Sequence, residues 1–322
     1  MVGAGTILTS AQGARSLRFV SPERPPFSDV AGKPRFALDL VEAALGRIKV
    51  NATTTIVPPN QYGKALLSGP FDGTAVGWRD SERERALMFS DPYLENRLIL
   101  VGRSGSDVSA ASLAALKGKT VALVEGYAYG DGFETAGPKW VRSKGEQDSL
   151  TLLLNSKIDY FLMDELVVQY LVASYPEEAK TRLAIGTIPL HTRSVHLSLH
   201  RSLPDAGAII KGFNTQLRSM IADRTYHKLL RVTWIRADVD GDGQVEYVSD
   251  SDQAGKSQPQ RAYSLFSPPP MTPTPTPTEE RYFFGGAVYN GWSSVPDKYK
   301  VDYLDRPDAV HPTARILTFT WK

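Results

Sequence analysis

The sequence predicts an α/β protein of two lobes followed by a C-terminal extension. Short apolar runs at 17–20, 53–57, 120–124 and 160–163 alternate with helix-period segments at 37–47, 149–155 and 205–222, the rhythm of parallel strands joined by crossover helices. At 322 residues the chain exceeds what one hydrophobic core usually fills, so two lobes are expected. Two-lobed α/β proteins place ligands between the lobes, at the carboxyl ends of their strands. The segments around 95–101 and 194–199 are the expected hinge strands.

The formal net charge is +2, with 22% charged and 42% hydrophobic residues, and no basic stripe stands out. That balance argues against nucleic acid as a partner. The chain has no cysteine, which removes disulfides and thiol catalysis from consideration. No apolar run is long enough to span a bilayer. Residues 2–9 are small and apolar, and Ala11-Gln12-Gly13-Ala14 has the small-x-small pattern of a signal-peptidase site. Residues 1–16 therefore read either as a signal remnant of a periplasmic protein or as a disordered lead-in.

Several segments are carried in a recognisable order. Leu17-Arg18-Phe19-Val20 is followed by Pro25-Pro26-Phe27, then by 36–43, then by Leu66-Leu67-Ser68-Gly69-Pro70-Phe71-Asp72-Gly73. Met88-Phe89-Ser90-Asp91-Pro92-Tyr93 comes after Ser81-Glu82-Arg83-Glu84-Arg85, and 113–124, 157–164 and 220–234 complete the series. This ordered set resembles the family 3 solute-binding proteins, the periplasmic receptors of polar amino-acid ABC transporters. The resemblance implies a periplasmic-binding-protein (Venus-flytrap) fold: lobe 1 from 17–98 and 194–236, lobe 2 from 99–193, with the chain beyond 236 outside it.

The resemblance also implies a site. Arg83 aligns with the arginine that grips the ligand carboxylate through its planar fork, with Arg85 a weaker candidate. Asp164 aligns with the aspartate that takes the ligand ammonium, with capping of the helix that follows as the alternative. Phe27 is nominated to stack on the ligand, and Tyr62, Trp78 and Tyr127 complete the candidate set. Two departures stand out. The loop Gly126-Tyr127-Ala128 lacks the usual hydroxyls, and Trp78 with nearby Asp80 replaces others. Both weaken the case for an ordinary α-amino acid.

Asp238-Val239-Asp240-Gly241-Asp242-Gly243-Gln244-Val245-Glu246 places carboxylates at alternate positions around glycines, a spacing that wraps oxygen ligands around a hard cation. It resembles the short calcium loops of FG-GAP-type repeats, with Asp238, Asp240, Asp242 and Glu246 as ligands and Gln244 offering its carbonyl. A structural calcium ion is the expected cofactor, and an acidic solvated turn is the alternative. The extension divides into this loop region (237–266), a Pro/Thr linker (267–279) and an aromatic-rich segment (280–322) ending in a strand-like run at 315–321.

The expected function is capture of a small polar, carboxylate-bearing, amino-acid-like ligand between two lobes for an ABC transporter permease. The competing reading is a periplasmic accessory or interaction protein with a degenerate cleft. No nucleophile-base set or catalytic metal spacing is visible, and the five histidines share no motif, so an enzyme is not expected.

Overall fold

The computed structural model describes residues 15–135, 137–259, 262–265 and 280–301. The expectations for 1–14, for the Pro/Thr linker and for the strand-like run at 315–321 lie outside them. In chain order the receptor part contains β1 (Arg15–Pro22), α1 (Phe36–Arg47), β2 (Val50–Val57), α2 (Pro59–Ser68), β3 (Gly73–Trp78), α3 (Ser81–Ala86), β4 (Leu87–Phe89) and β5 (Leu94–Arg103). It continues through β6 (Thr120–Val124), β7 (Lys139–Ser143), α4 (Glu146–Leu154), β8 (Tyr160–Asp164), α5 (Glu165–Ser174), α6 (Pro176–Arg182), β9 (Leu183–His200), α7 (Ala206–Ala222) and α8 (Thr225–Leu230). The extension adds β10 (Trp234–Ala237), β11 (Glu246–Ser249), β12 (Tyr263–Ser264), β13 (Arg281–Phe284) and β14 (Ala287–Asn290).

Two long strands build the two-lobed architecture. The sheet order is β2-β1-β3-β9-β5-β8-β6-β7. In lobe 1, β1 pairs in parallel with both β2 and β3, while in lobe 2 β6 pairs in parallel with β7 and β8. Between these halves run β5 and β9, antiparallel to each other. One end of β9 pairs with β3 and the far half of β5 pairs with β8, so each strand belongs to both lobes. Hydrogen bonding is thus continuous across a hinge made of two strands.

Local sequence explains the elements that flank the cleft. In α1, Ala37, Leu38, Val41, Ala44 and Leu45 recur at helical spacing and are all buried, while Arg35 ties the outer face through Asp39 and Glu42. All five residues of β8 are buried, as expected of a strand covered on both faces. Residues 113–116, where the family resemblance implies a helix opening lobe 2, form only a 3-10 turn, capped by Ser112 and closed by Gly118 at φ +83.

Beyond α8 the five extension strands form a separate sheet, β12-β10-β11-β13-β14. Its own apolar cluster contains Ala254, Tyr282, Phe284 and Val295. The sheet docks on the hinge: Ser264 N donates to Glu95 Oε2 at 3.1 Å, Arg97 donates to the Ala262 carbonyl, and the Arg97 guanidinium lies 4.4 Å from the Tyr263 ring centroid.

Candidate functional site

The loop after β1, the end of β3, the first part of β5 and the loop after β6 converge between the lobes. Phe27, Tyr62, Trp78, Arg83 and Tyr127, all nominated from the sequence, line one cavity there. The cavity measures about 20 Å³, room for little more than one water. Side chains fill the rest. Trp78 stands edge-on to Tyr127 and Tyr129, each at a centroid distance of 5.6 Å, and donates its indole N–H to Asn96 Oδ1 at 2.7 Å.

At the centre lies a residue that sequence reasoning missed. The guanidinium of Arg24, 8% exposed, sits 4.9 Å from the Phe27 ring centroid, 5.1 Å from Trp78 and 5.5 Å from Tyr127. Its Nη1 donates to Asn96 Oδ1 at 3.1 Å, and its Nε pairs with Glu146 Oε1 of lobe 2 at 3.2 Å. Asn96 Oδ1 thus accepts from two donors, which fixes the amide and leaves its buried Nδ2 without a hydrogen-bond partner among the described residues. Burial disfavours the charge of Arg24, but Tyr127, Asp164 and Glu146 outweigh it and hold the pKa above its ordinary value. Burial in turn pushes the Glu146 carboxyl up, opposed by Arg24. Tyr127 completes the ring of contacts by donating to Glu146 at 3.2 Å.

Arg83 is placed in the cleft but committed to backbone. Its Nη1 donates to the Trp78 carbonyl at 3.1 Å and its Nη2 to the Gly126 carbonyl at 3.0 Å, with Tyr62 beneath the guanidinium at 5.4 Å. Its fork therefore links the lobes. Tyr62 donates its hydroxyl to Thr74 Oγ1 at 3.2 Å. Arg85 sits in the same short helix α3, whose N-cap is Asp80, accepting from Arg83 N.

Asp164 closes β8 and caps α5, accepting from Leu166 N at 2.9 Å and Val167 N at 3.3 Å, while its other oxygen accepts from Arg97 N at 3.1 Å. The helix-capping alternative therefore accounts for its hydrogen bonds. Its pKa is nonetheless raised to about 6, because burial outweighs the stabilising charge of Arg24 and the amide donors. On the hinge side of Trp78 a broader, open polar recess of about 600 Å³ is lined by residues including Asp80, Asp131, Arg193 and His196.

Lobe closure reaches the backbone. A Cβ on Gly63 of α2 would fall 2.8 Å from the Gly126 carbonyl oxygen, and Gly126 itself has φ +79. Asn60 N donates to the Lys144 carbonyl at 3.2 Å, and Ser81 Oγ donates to Asp131 Oδ1 at 3.0 Å.

In the acidic loop, oxygens of Asp238, Asp240 and Glu246 lie within 4.8 Å of one another. Asp238 accepts from the Gly241 and Gly243 amides at 2.6 and 3.0 Å, and Asp242 Oδ1 accepts from Gln244 N at 2.8 Å. Arg281 of β13 reaches into the same cluster, pairing with Asp242 at 2.8 Å, Glu246 at 3.2 Å and Asp240 at 3.4 Å. The repulsion among these carboxylates is thus relieved by a cation from within the chain. This second arginine is separated from the loop by the linker, and no local motif announces it.

The model of the bacterial extracellular solute-binding proteins, family 3, matches residues 19–236. Among solved structures, a mutant of ArgBP from T. maritima is 23% identical and has a TM-score of 0.55, covering 68% of this chain and 94% of that one. An ancestral arginine-binding protein bound to arginine is 25% identical, TM-score 0.55, covering 66% and 96%. The GluR0 ligand-binding core from Nostoc punctiforme in complex with L-glutamate is 21% identical, TM-score 0.54, covering 66% and 96%. No curated protein matches the chain. Among the described residues no helix is long and apolar enough to cross a membrane.

Proposed function

We propose that this chain, which belongs to the family 3 bacterial extracellular solute-binding proteins, is a receptor whose interlobe cleft takes a small cationic, amino-acid-like ligand. The observation that carries it is the cage itself. Three aromatic faces with Glu146 and Asn96 hold a guanidinium at the junction of both lobes and the hinge. Aromatic faces and a nearby carboxylate are what a desolvated planar cation requires. The arginine-bound ancestral relative supports the same ligand class. The expected carboxylate grip finds less support, since both Nη groups of Arg83 already serve carbonyls. Delivery to an ABC transporter permease and a periplasmic location belong to the same proposal and rest on the family alone.

A second reading has an observation of its own. The cavity of about 20 Å³ and the extension seated on the hinge strand favour an accessory protein whose cleft stays shut. Thermal-shift and calorimetric titration with arginine, lysine, methylguanidinium and glutamate separates the two. Cationic members should stabilise the wild-type protein and glutamate should not. Silence across the panel would overturn the receptor reading in favour of the accessory one.

The loop 238–246 is further proposed to take calcium, held by Asp238, Asp240, Asp242 and Glu246 with the Gln244 carbonyl. The metal would compete with Arg281 for the same oxygens.

A further inference from the structure

We propose that Arg24 is a tethered ligand: its guanidinium occupies the place in the cleft that an external guanidinium would take, and the chain closes its lobes on its own cation. The proposal rests on the reading of the cleft as a cation site and says what holds that site when no solute is bound. Four observations point the same way.

First, the contacts of Arg24 come from both lobes and the hinge. Phe27 and Trp78 belong to lobe 1, Tyr127 and Glu146 to lobe 2, and Asn96 to hinge strand β5. A solute that closes a two-lobed receptor must bridge in the same way. Second, the guanidinium is held mainly by ring faces. Among the described residues its fork makes no two-point pair with a carboxylate, the arrangement frequent in arginine–carboxylate pairs. Arg83, which lines the same cavity, shows the contrast, with both Nη groups satisfied by carbonyls. Third, the side chain enters from a loop beyond the end of β1 rather than from within a strand or helix, so withdrawing it requires no element to unfold. Fourth, the cavity left beside it is about 20 Å³, so an incoming guanidinium must displace Arg24 to enter the cage.

The test uses the wild-type full chain and Arg24→Ala, titrated with methylguanidinium by calorimetry and followed by small-angle scattering. The variant should bind methylguanidinium at least tenfold more tightly than the wild type. Its lobes should open in plain buffer and close again as the probe is added. Should Arg24→Ala fail to fold, Arg24→Lys keeps a cation in the cage. Its more strongly hydrated ammonium lacks the planar face, so methylguanidinium should replace it at no more than a third of the wild-type concentration. A folded variant that responds as the wild type does overturns the proposal. A wild type that ignores every cation while Arg24→Ala binds methylguanidinium overturns the receptor reading and leaves the tethered ligand standing. A wild type that binds arginine, with Arg24→Ala binding no better, does the reverse.

Discussion

Arg83 in lobe 1 donates to the carbonyl of Gly126 in lobe 2 at 3.0 Å, and its other Nη donates to the Trp78 carbonyl at 3.1 Å. The residue that the sequence aligns with a ligand grip is a strut between lobes. Arg83→Ala should therefore lower stability whether or not a ligand is present. A loss of about 1–3 kcal/mol is expected, from a buried bond to the Trp78 carbonyl and a half-buried one to the Gly126 carbonyl. Lysine should recover only part, because one ammonium cannot span both carbonyls. Denaturant unfolding measures this, and an unchanged midpoint would return Arg83 to the role of a free ligand grip.

Gly63 and Gly126 pose a test in which two effects have opposite signs. Replacing a helical glycine by alanine normally stabilises by about 1 kcal/mol. Here the added Cβ would meet the Gly126 oxygen at 2.8 Å, closer than real contacts allow. Gly63→Ala should thus open the lobes, raise the radius of gyration and lower the melting temperature. A more stable variant of unchanged size would show that the lobes do not close this far.

His196 and Asp164 should give opposite pH trends. Burial lowers the His196 pKa to about 4, and its Nδ1 is engaged by the Ser90 carbonyl at 2.8 Å. Its stabilising contribution is intact above pH 6.5 and is lost as pH falls through 6.5 towards 4, by roughly 3 kcal/mol if the unfolded histidine titrates normally. Asp164, raised to about 6, contributes in the other sense: its stabilisation is present below pH 3.8 and is lost as pH rises through 6. His196→Asn should flatten the loss on the acid side. Asp164→Asn should gain most, relative to wild type, near pH 7. Melting temperatures from pH 4 to 8 test both, and parallel profiles for the three proteins would contradict the assignment.

Arg281 makes the calcium proposal sharper. Removing it with Arg281→Ala should destabilise the extension in a chelator and strengthen calcium binding at least tenfold, because the metal no longer competes with a guanidinium for Asp240, Asp242 and Glu246. Calorimetry that shows no calcium binding to either protein at millimolar concentration would leave the loop as an arginine-stapled acidic turn.

The sequence showed what periodicity and local motifs can show. The spacing of Leu38, Val41 and Leu45 announced α1, and the apolar run at 160–163 announced the strand β8, which the structure buries along its whole length. Phe27, Tyr62, Trp78 and Tyr127 were nominated from the sequence, and they do meet in one cleft. Arg24, Asn96 and Glu146 were not legible, because each is a single polar residue whose burial exists only once two distant lobes meet. An arginine directly before Pro25 and Pro26 in a cleft-facing loop was the one available signal. The hydrogen bonds of Asp164 were decided by a helix start that the sequence did offer as an alternative. The pairing of Arg281 with the acidic loop depends on how β13 joins β11, which local pattern does not specify.

The most direct test of the self-occupied cleft is the NMR signal of the Arg24 Nε–H in the protein without added solute, assigned by its loss in Arg24→Ala. Enclosed by the rings of Phe27, Trp78 and Tyr127 and facing Glu146, that proton should be displaced from the position of a solvent-exposed arginine and exchange slowly with water. Saturating arginine should return it to the exposed position. An Arg24 signal already at the exposed position before any solute is added would contradict the account.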